Sequence, residues 1–369
     1  MIDKVLQSRY LLSLQQISFA AGFVLVILSL ILLCNGCVLN NQSKTQVRVL
    51  CAGSLMVPFN ELEKTFETLH PDIDILTEGH GSIQVIRHVT ELHEETDIMA
   101  VADHSLIPMM MYINKIPETN DNYTDWYIKF ATNTLGIAYT TTSRYANEID
   151  DKNWYEILSR PDIKLGIADA RLDACGYRVL MLLSLAESYY NNENIFEEVL
   201  GTFNPALEVT DDGGIATILI PEILRPESDR IVLRGSSIRM LALLESGDID
   251  YAFEYLSVSQ QHQLNFLNLP QEINMGSNNY LELYKQVTCK LDFHRFSSVQ
   301  PEFTGQPIIY GITIPQNAPH PDAAQSYLAF LLGPEGQQIL ANANQPVMQP
   351  VADNPTNLSI GLQALVEKQ

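Results

Sequence analysis

Basic residues are scarce in this chain. Lys and Arg number 22 against 44 Asp and Glu, a net charge of −22. A nucleic-acid partner needs clustered cations, so that class is excluded. An anion would be repelled at long range, so any anion site must work through donors at close range. Cysteine is also sparse: Cys34, Cys37, Cys51, Cys175 and Cys289. Two of these lie in the N-terminal leader. The other three are far apart, with neither metal-ligand spacing nor a complete disulfide framework, and read as small buried residues. The 8 histidines are scattered and form no His-Glu-x-x-His, which argues against zinc. Gly-x-Ser-x-Gly and the Walker loop are missing too, and with them the usual serine-hydrolase elbow and the P-loop nucleotide site. No internal repeat or low-complexity segment is visible.

What is present is a globular composition, 46% apolar and 18% charged over 369 residues, enough for two domains. Lys4 and Arg9 precede an uncharged stretch whose apolar heart runs from Ile17 to Cys34. That is a signal-peptide pattern, and it is also about long enough to span a bilayer. Gly36-Cys37 follows, as in lipoprotein processing, although Cys34 and Asn35 depart from the usual residues there. Residues 1–37 are therefore expected to be a signal or lipoprotein leader, or else an uncleaved membrane helix. Residues 38–45 form a polar tether, and the body lies outside the cell, anchored at its membrane.

The body opens with alternating strand and helix patterns. Val47–Leu50 predicts a strand. A helix follows with Phe59, Leu62, Phe66 and Leu69 on one face, and His70-Pro71 ends it. Ile73–Leu76 is a strand, then a helix from Ser82 with Ile83, Ile86, Val89 and Leu92 inward, then a strand at Asp97–Ala102. This βαβαβ order implies a mainly parallel sheet with helices on both faces. Further strands are expected at Thr134–Tyr139, Lys164–Ala168, Tyr251–Tyr255 and Pro307–Pro315. Helices are expected near Trp154–Leu158, from Asp173 to Tyr190, at Ile238–Leu244, and at Ala323–Leu332 and Gly336–Leu340. Residues 192–235 read as an irregular insert.

Ligands in open α/β sheets sit beyond the carboxyl ends of strands, so loops directly after strands carry the candidates. Ala52-Gly53-Ser54 and Gly79-His80-Gly81-Ser82 each run from strand to helix. Glycine lets the backbone approach, and serine adds a hydroxyl to the amides of a helix start, which suits an oxyanion. Either serine alone reads equally as an N-cap. Asp173, before a long helix, reads as an N-cap as well. Glu254 lies within the apolar run Tyr251–Tyr255, where a carboxylate is costly unless bound or paired; a salt bridge to Arg178 is one outlet.

These stretches resemble a known family. Ala-Gly-Ser-Leu at 52–55, Val-Pro-Phe-Asn-Glu-Leu-Glu at 57–63 and Gly-Ser at 81–82 come first. Ala-Asp-His-Ser-Leu-Ile-Pro at 102–108, Asp-Ala-Cys-Gly-Tyr-Arg at 173–178, Asp-Tyr-Ala-Phe-Glu-Tyr at 250–255 and Pro-Ile-Ile-Tyr-Gly-Ile-Thr-Ile-Pro at 307–315 follow. In this order they resemble the archaeal-type molybdate/tungstate-binding proteins of ABC transporters, the WtpA/ModA family. The resemblance implies a type II periplasmic-binding-protein fold, two α/β lobes joined by crossing hinge strands. One lobe would be 46–133 completed by 314–369, and the other 134–313. It implies a binding protein, not an enzyme, with no permanent cofactor. Its ligand would be molybdate or tungstate, and its partners an ABC permease with its ATPase subunits. Gly53, Ser54 and Ser82 would hydrogen-bond the anion, and Asp173 and Glu254 would approach the Mo or W centre. Ala174 stands where the family commonly has Pro. A tyrosine is expected to assist, with Tyr255, Tyr280 and Tyr284 as candidates. The rival readings are a binding protein for sulfate or phosphate, a hydrolase using Ser54 or Ser82 with His80 as base, and an anion-sensing receptor ectodomain.

Overall fold

The computed structural model describes residues 44–292 and 301–367. The expected leader and nearly all of the tether lie outside these residues. No helix among the described residues is long and apolar enough to cross a membrane. From Thr45 onward the chain packs as one compact unit.

The strands, in chain order, begin with β1 (Thr45–Ala52), β2 (Ile73–His80), β3 (Ile98–Val101), β4 (Ile128–Thr132), β5 (Leu135–Tyr139) and β6 (Leu165–Ala168). Then come β7 (Glu208–Asp212), β8 (Ile215–Pro221), β9 (Ile231–Arg234), β10 (Tyr251–Tyr255) and β11 (Asn265–Asn268). The last are β12 (Val287–Asp292), β13 (Glu302–Thr304), β14 (Ile309–Thr313) and β15 (Val347–Ala352). They form a six-stranded sheet of order β15-β4-β14-β3-β1-β2, a five-stranded sheet β11-β5-β10-β6-β9 and a four-stranded sheet β13-β12-β8-β7.

The run Val49-Leu50-Cys51-Ala52 is buried on both faces of β1, as a central parallel strand requires. β1 pairs in parallel with β2 and β3. The expected mainly parallel sheet stops there, because β14, β4 and β15 add antiparallel partners from remote parts of the chain. The helix Met56–Leu69 buries Phe59, Leu62 and Phe66. Leu69, expected inward, is 55% exposed; the ring of His70 stacks on Phe66 instead, 4.3 Å between centroids. In the helix Ser82–Thr90, Ile83, Ile86 and Val89 are buried, whereas Leu92 lies past its end and is exposed.

The chain passes from the first sheet to the second between β4 and β5, at Asn133-Thr134. Residues 192–235 are more regular than their sequence suggests. They hold a helix Ile195–Leu200, the hairpin β7–β8 and β9. Gly213 and Gly214 turn the hairpin with φ of 63° and 89°, the left-handed region that glycine enters without penalty. β7 is exposed along its whole length, so it carries no apolar alternation to betray it.

Candidate functional site

Glycine lets the loops after β1 and β2 press against the five-stranded sheet's side of the fold. A Cβ on Gly81 would lie 2.4 Å from the carbonyl oxygen of Leu172, and one on Gly53 would lie 2.8 Å from the Ile238 side chain. Backbone bonds seal the first approach: Ile83 N–H and Gln84 N–H both donate to Leu172 O, at 3.1 and 3.2 Å.

The serines in these loops are buried and neither caps its helix. The Ser54 hydroxyl shares a 2.9 Å hydrogen bond with the Tyr310 hydroxyl. Ser82 Oγ accepts the Ala102 N–H at 3.0 Å, which leaves its own proton for another acceptor.

Asp173 does cap the helix Ala174–Tyr190, its Oδ1 accepting the Cys175 N–H at 3.2 Å. Its other oxygen accepts the Ser237 N–H at 2.9 Å, and the nearby Ser82 backbone amide favours its charged form. Backbone amides on both sides of this carboxylate thus favour its charged form. Burial pushes the Asp173 carboxyl upward, and these backbone donors pull it part of the way back. Ala174 begins the helix, a position where Pro is tolerated but not needed.

Glu254 is 1% exposed on β10. Its Oε1 accepts the Tyr255 N–H at 2.8 Å and the Ser237 hydroxyl at 3.0 Å. Its Oε2 is buried without a hydrogen-bond partner among the described residues. Burial pushes its carboxyl up to about 8; the Tyr255 amide and Ser237 hydroxyl draw it down, and the Asp173 charge raises it. A buried polar atom left bare costs free energy, so Oε2 marks a place for an absent partner. Arg178 does not supply it: its Nη2 lies 3.2 Å from Asp103 Oδ2, across the two sheets.

The structure therefore draws Gly53, Ser54, Ser82, Asp173 and Glu254 to one buried junction. It adds two residues that sequence reasoning missed. Ser237 bridges both carboxylates, and its signal was there to find, since Gly235-Ser236-Ser237 is a third Gly-Ser turn from strand to helix. Tyr310 joins Ser54 to Asn133, whose Nδ2 donates to the Tyr310 oxygen at 2.9 Å; it lies in the stretch 307–315 that carries the resemblance, but mid-strand, with nothing local to mark it as a site residue. Two of the candidate tyrosines are engaged elsewhere, Tyr280 with Glu272 at 3.0 Å and Tyr284 with Gln271 O. The Tyr255 hydroxyl accepts from Arg178 Nη1 at 3.0 Å.

The sequence matches the bacterial extracellular solute-binding protein family over residues 47–343. A solute-binding protein of Methanoculleus marisnigri is 36% identical over 324 residues, covering 88% of this chain and 87% of that one. The molybdate/tungstate-binding protein WtpA of Thermococcus kodakarensis is 36% identical over 317 residues, covering 84% of each. Among solved structures, the Azotobacter vinelandii periplasmic molybdate-binding protein superposes with a TM-score of 0.51 at 13% identity, over 82% of this chain and 100% of that one. The sulfate-binding protein SubI from Mycobacterium tuberculosis gives 0.51 at 12% identity, over 82% and 87%. At such identities these two share the fold of periplasmic binding proteins and nothing finer.

Proposed function

The chain belongs to the bacterial extracellular solute-binding protein family, and from that premise we propose that it captures molybdate or tungstate outside the cell for an ABC importer. The 36% identity to a protein named for those anions supports the reading. The observation that carries it is the carboxylate pair: Glu254, buried with one bare oxygen, beside Asp173, with Ser237 bonded to both. Two carboxylates facing a dianion repel it unless its centre accepts their oxygens. Mo(VI) and W(VI) are large, hard d⁰ centres that expand beyond tetrahedral coordination, and the sulfur of sulfate does not. The pair would penalise the wrong anion while binding the right one. Gly53, Ser54 and Ser82 would hydrogen-bond the anion's oxygens.

Capture by hinge motion fits this arrangement. The two lobes would be built on the six-stranded and five-stranded sheets, with crossings at Asn133-Thr134 and between Thr304 and Ile309. β14 lies in the six-stranded sheet, so the second crossing falls before it. A binding role rather than catalysis is favoured by the serines, whose hydroxyls engage Tyr310 and Ala102, while the His80 ring packs on His88, 4.5 Å between centroids. The leader would tether the protein to the outer face of the membrane, through a lipid on Cys37 or an N-terminal helix, and the permease with its ATPase subunits would receive the anion. X-ray absorption of the tungstate complex tests the carboxylate claim: an octahedral oxygen shell is expected, and a purely tetrahedral anion would remove Asp173 and Glu254 as ligands.

A further inference from the structure

Arg178 lies in the helix that Asp173 caps and is 1% exposed. Its Nη1 donates to Ala102 O at 2.6 Å and to the Tyr255 hydroxyl at 3.0 Å, and its Nη2 pairs with Asp103 Oδ2 at 3.2 Å. Ala102 and Asp103 follow β3 of the six-stranded sheet, whereas Tyr255 ends β10 of the five-stranded sheet. The groups one bond further out belong to the site. The Ala102 N–H donates to Ser82 Oγ at 3.0 Å, and the Tyr255 N–H donates to Glu254 Oε1 at 2.8 Å. A single guanidinium therefore fixes, at one remove, a hydroxyl from one sheet and a carboxylate from the other.

Its counter-ion is built to receive it. Asp103 also accepts the Tyr177 hydroxyl at 2.6 Å, the Ser105 hydroxyl at 2.7 Å, the Ser105 N–H at 3.0 Å and Gln306 Nε2 at 3.2 Å. Ser105 holds the carboxylate from its own segment, and Tyr177 reaches it from the helix that carries Arg178. A planar guanidinium can address several acceptors in fixed directions, which an ammonium cannot.

We propose that Arg178 is a positioning residue that ties closure of the two halves to anion capture; the inference rests on the oxyanion reading above. A buried cation is costly without its partners. Two of the three acceptors of Arg178 come from the other sheet, so its ion pair with Asp103 and its bond to Ala102 form only when the halves meet in one register. That register sets Ser82 and Glu254 around the same space. If the halves part, Arg178 keeps Tyr255 and gives up Ala102 and Asp103, and Ser82 and Glu254 lose their common brace.

The test uses the full-length protein with Arg178→Lys and, separately, Asp103→Asn. Sodium tungstate binding is followed by calorimetry and stopped-flow, amide exchange of residues 82–86 by mass spectrometry, and stability by thermal melting. Arg178→Lys is expected to weaken tungstate binding roughly tenfold to hundredfold, mainly through faster release. Exchange at Ile83 and Gln84 should quicken, with little change in the melting temperature of the ligand-free protein. Unchanged affinity and release would overturn the proposal, and so would a loss of affinity that merely follows a loss of stability. Should Arg178→Lys fail to fold, Asp103→Asn carries the same expectation and the same contrary result. Wild-type protein that ignores tungstate but binds sulfate would refute the molybdate/tungstate reading alone, and the same variants titrated with sulfate would then decide the role of Arg178.

Discussion

At the scale of single residues, the proposed site would rest on buried hydroxyls and carboxylates. Ser54→Ala and Ser82→Ala should each weaken tungstate binding by about 1.5–3 kcal/mol, roughly tenfold or more, as expected for a lost hydrogen bond to a charged group. Ser54→Ala should melt close to wild type, whereas Ser82→Ala, which leaves the Ala102 N–H without its acceptor, should melt somewhat earlier; normal binding with a lowered melting point would make these serines structural. Glu254 gives a prediction with a definite sign. Its folded value, about 8, lies above the ordinary 4.5. The protonated carboxyl is therefore favoured by folding, and that contribution is present at low pH and lost as pH rises through about 8. Glu254→Gln should make the ligand-free protein progressively more stable than wild type as pH is raised from about 5 to about 8, while abolishing tight tungstate binding. Wild-type binding should weaken as pH falls below about 8, because protonation of Glu254 competes with the metal. A pH-independent stability difference would mean that Glu254 is already ionised in the fold. The sequence made Ser54, Ser82 and Asp173 conspicuous because each sits where a strand gives way to a helix. Glu254 stood out as a charge in an apolar run. Ser237 was masked by the segment before it, whose strand β9 was not recognised, and Tyr310 by its distance along the chain.

At the scale of elements, helices with apolar residues three and four apart were legible, and so were the apolar strands β1, β5, β6 and β10. Their patterns report burial directly. The sequence was silent on β7 and, although it marked β14 as a strand, on the antiparallel pairing of β14 with β3. An exposed edge strand needs no apolar face, and a pairing with β14 is a long-range event that local pattern does not encode. The glycine before Ser82 has a function at this scale. A methyl group on Gly81 would meet the Leu172 carbonyl at 2.4 Å, a backbone atom with little room to yield. Gly81→Ala should therefore hold the loop away from Leu172, expose the Ile83 and Gln84 amides to faster exchange, and reduce tungstate affinity more than it reduces melting temperature. Unaltered exchange at these amides would show that the loop accommodates the methyl group without moving.

At the scale of the whole molecule, two sheets approach each other through short polar loops, and buried groups from both meet at Asp173. That carboxylate accepts the Ser237 amide on one side, and the Ser82 amide on the other favours its charge. With a net charge of −22 the protein has no long-range attraction for a dianion, so selectivity has to come from what the enclosed groups do at contact. On the proposed reading, two carboxylates there would be an obstacle to sulfate and phosphate and an asset to a metal that can take their oxygens. The most direct measurement is a calorimetric titration of the protein with tungstate, molybdate, sulfate and phosphate under identical conditions. Tight binding of tungstate and molybdate, with weak or no binding of sulfate and phosphate, is the predicted result; sulfate or phosphate bound as tightly as tungstate would contradict it.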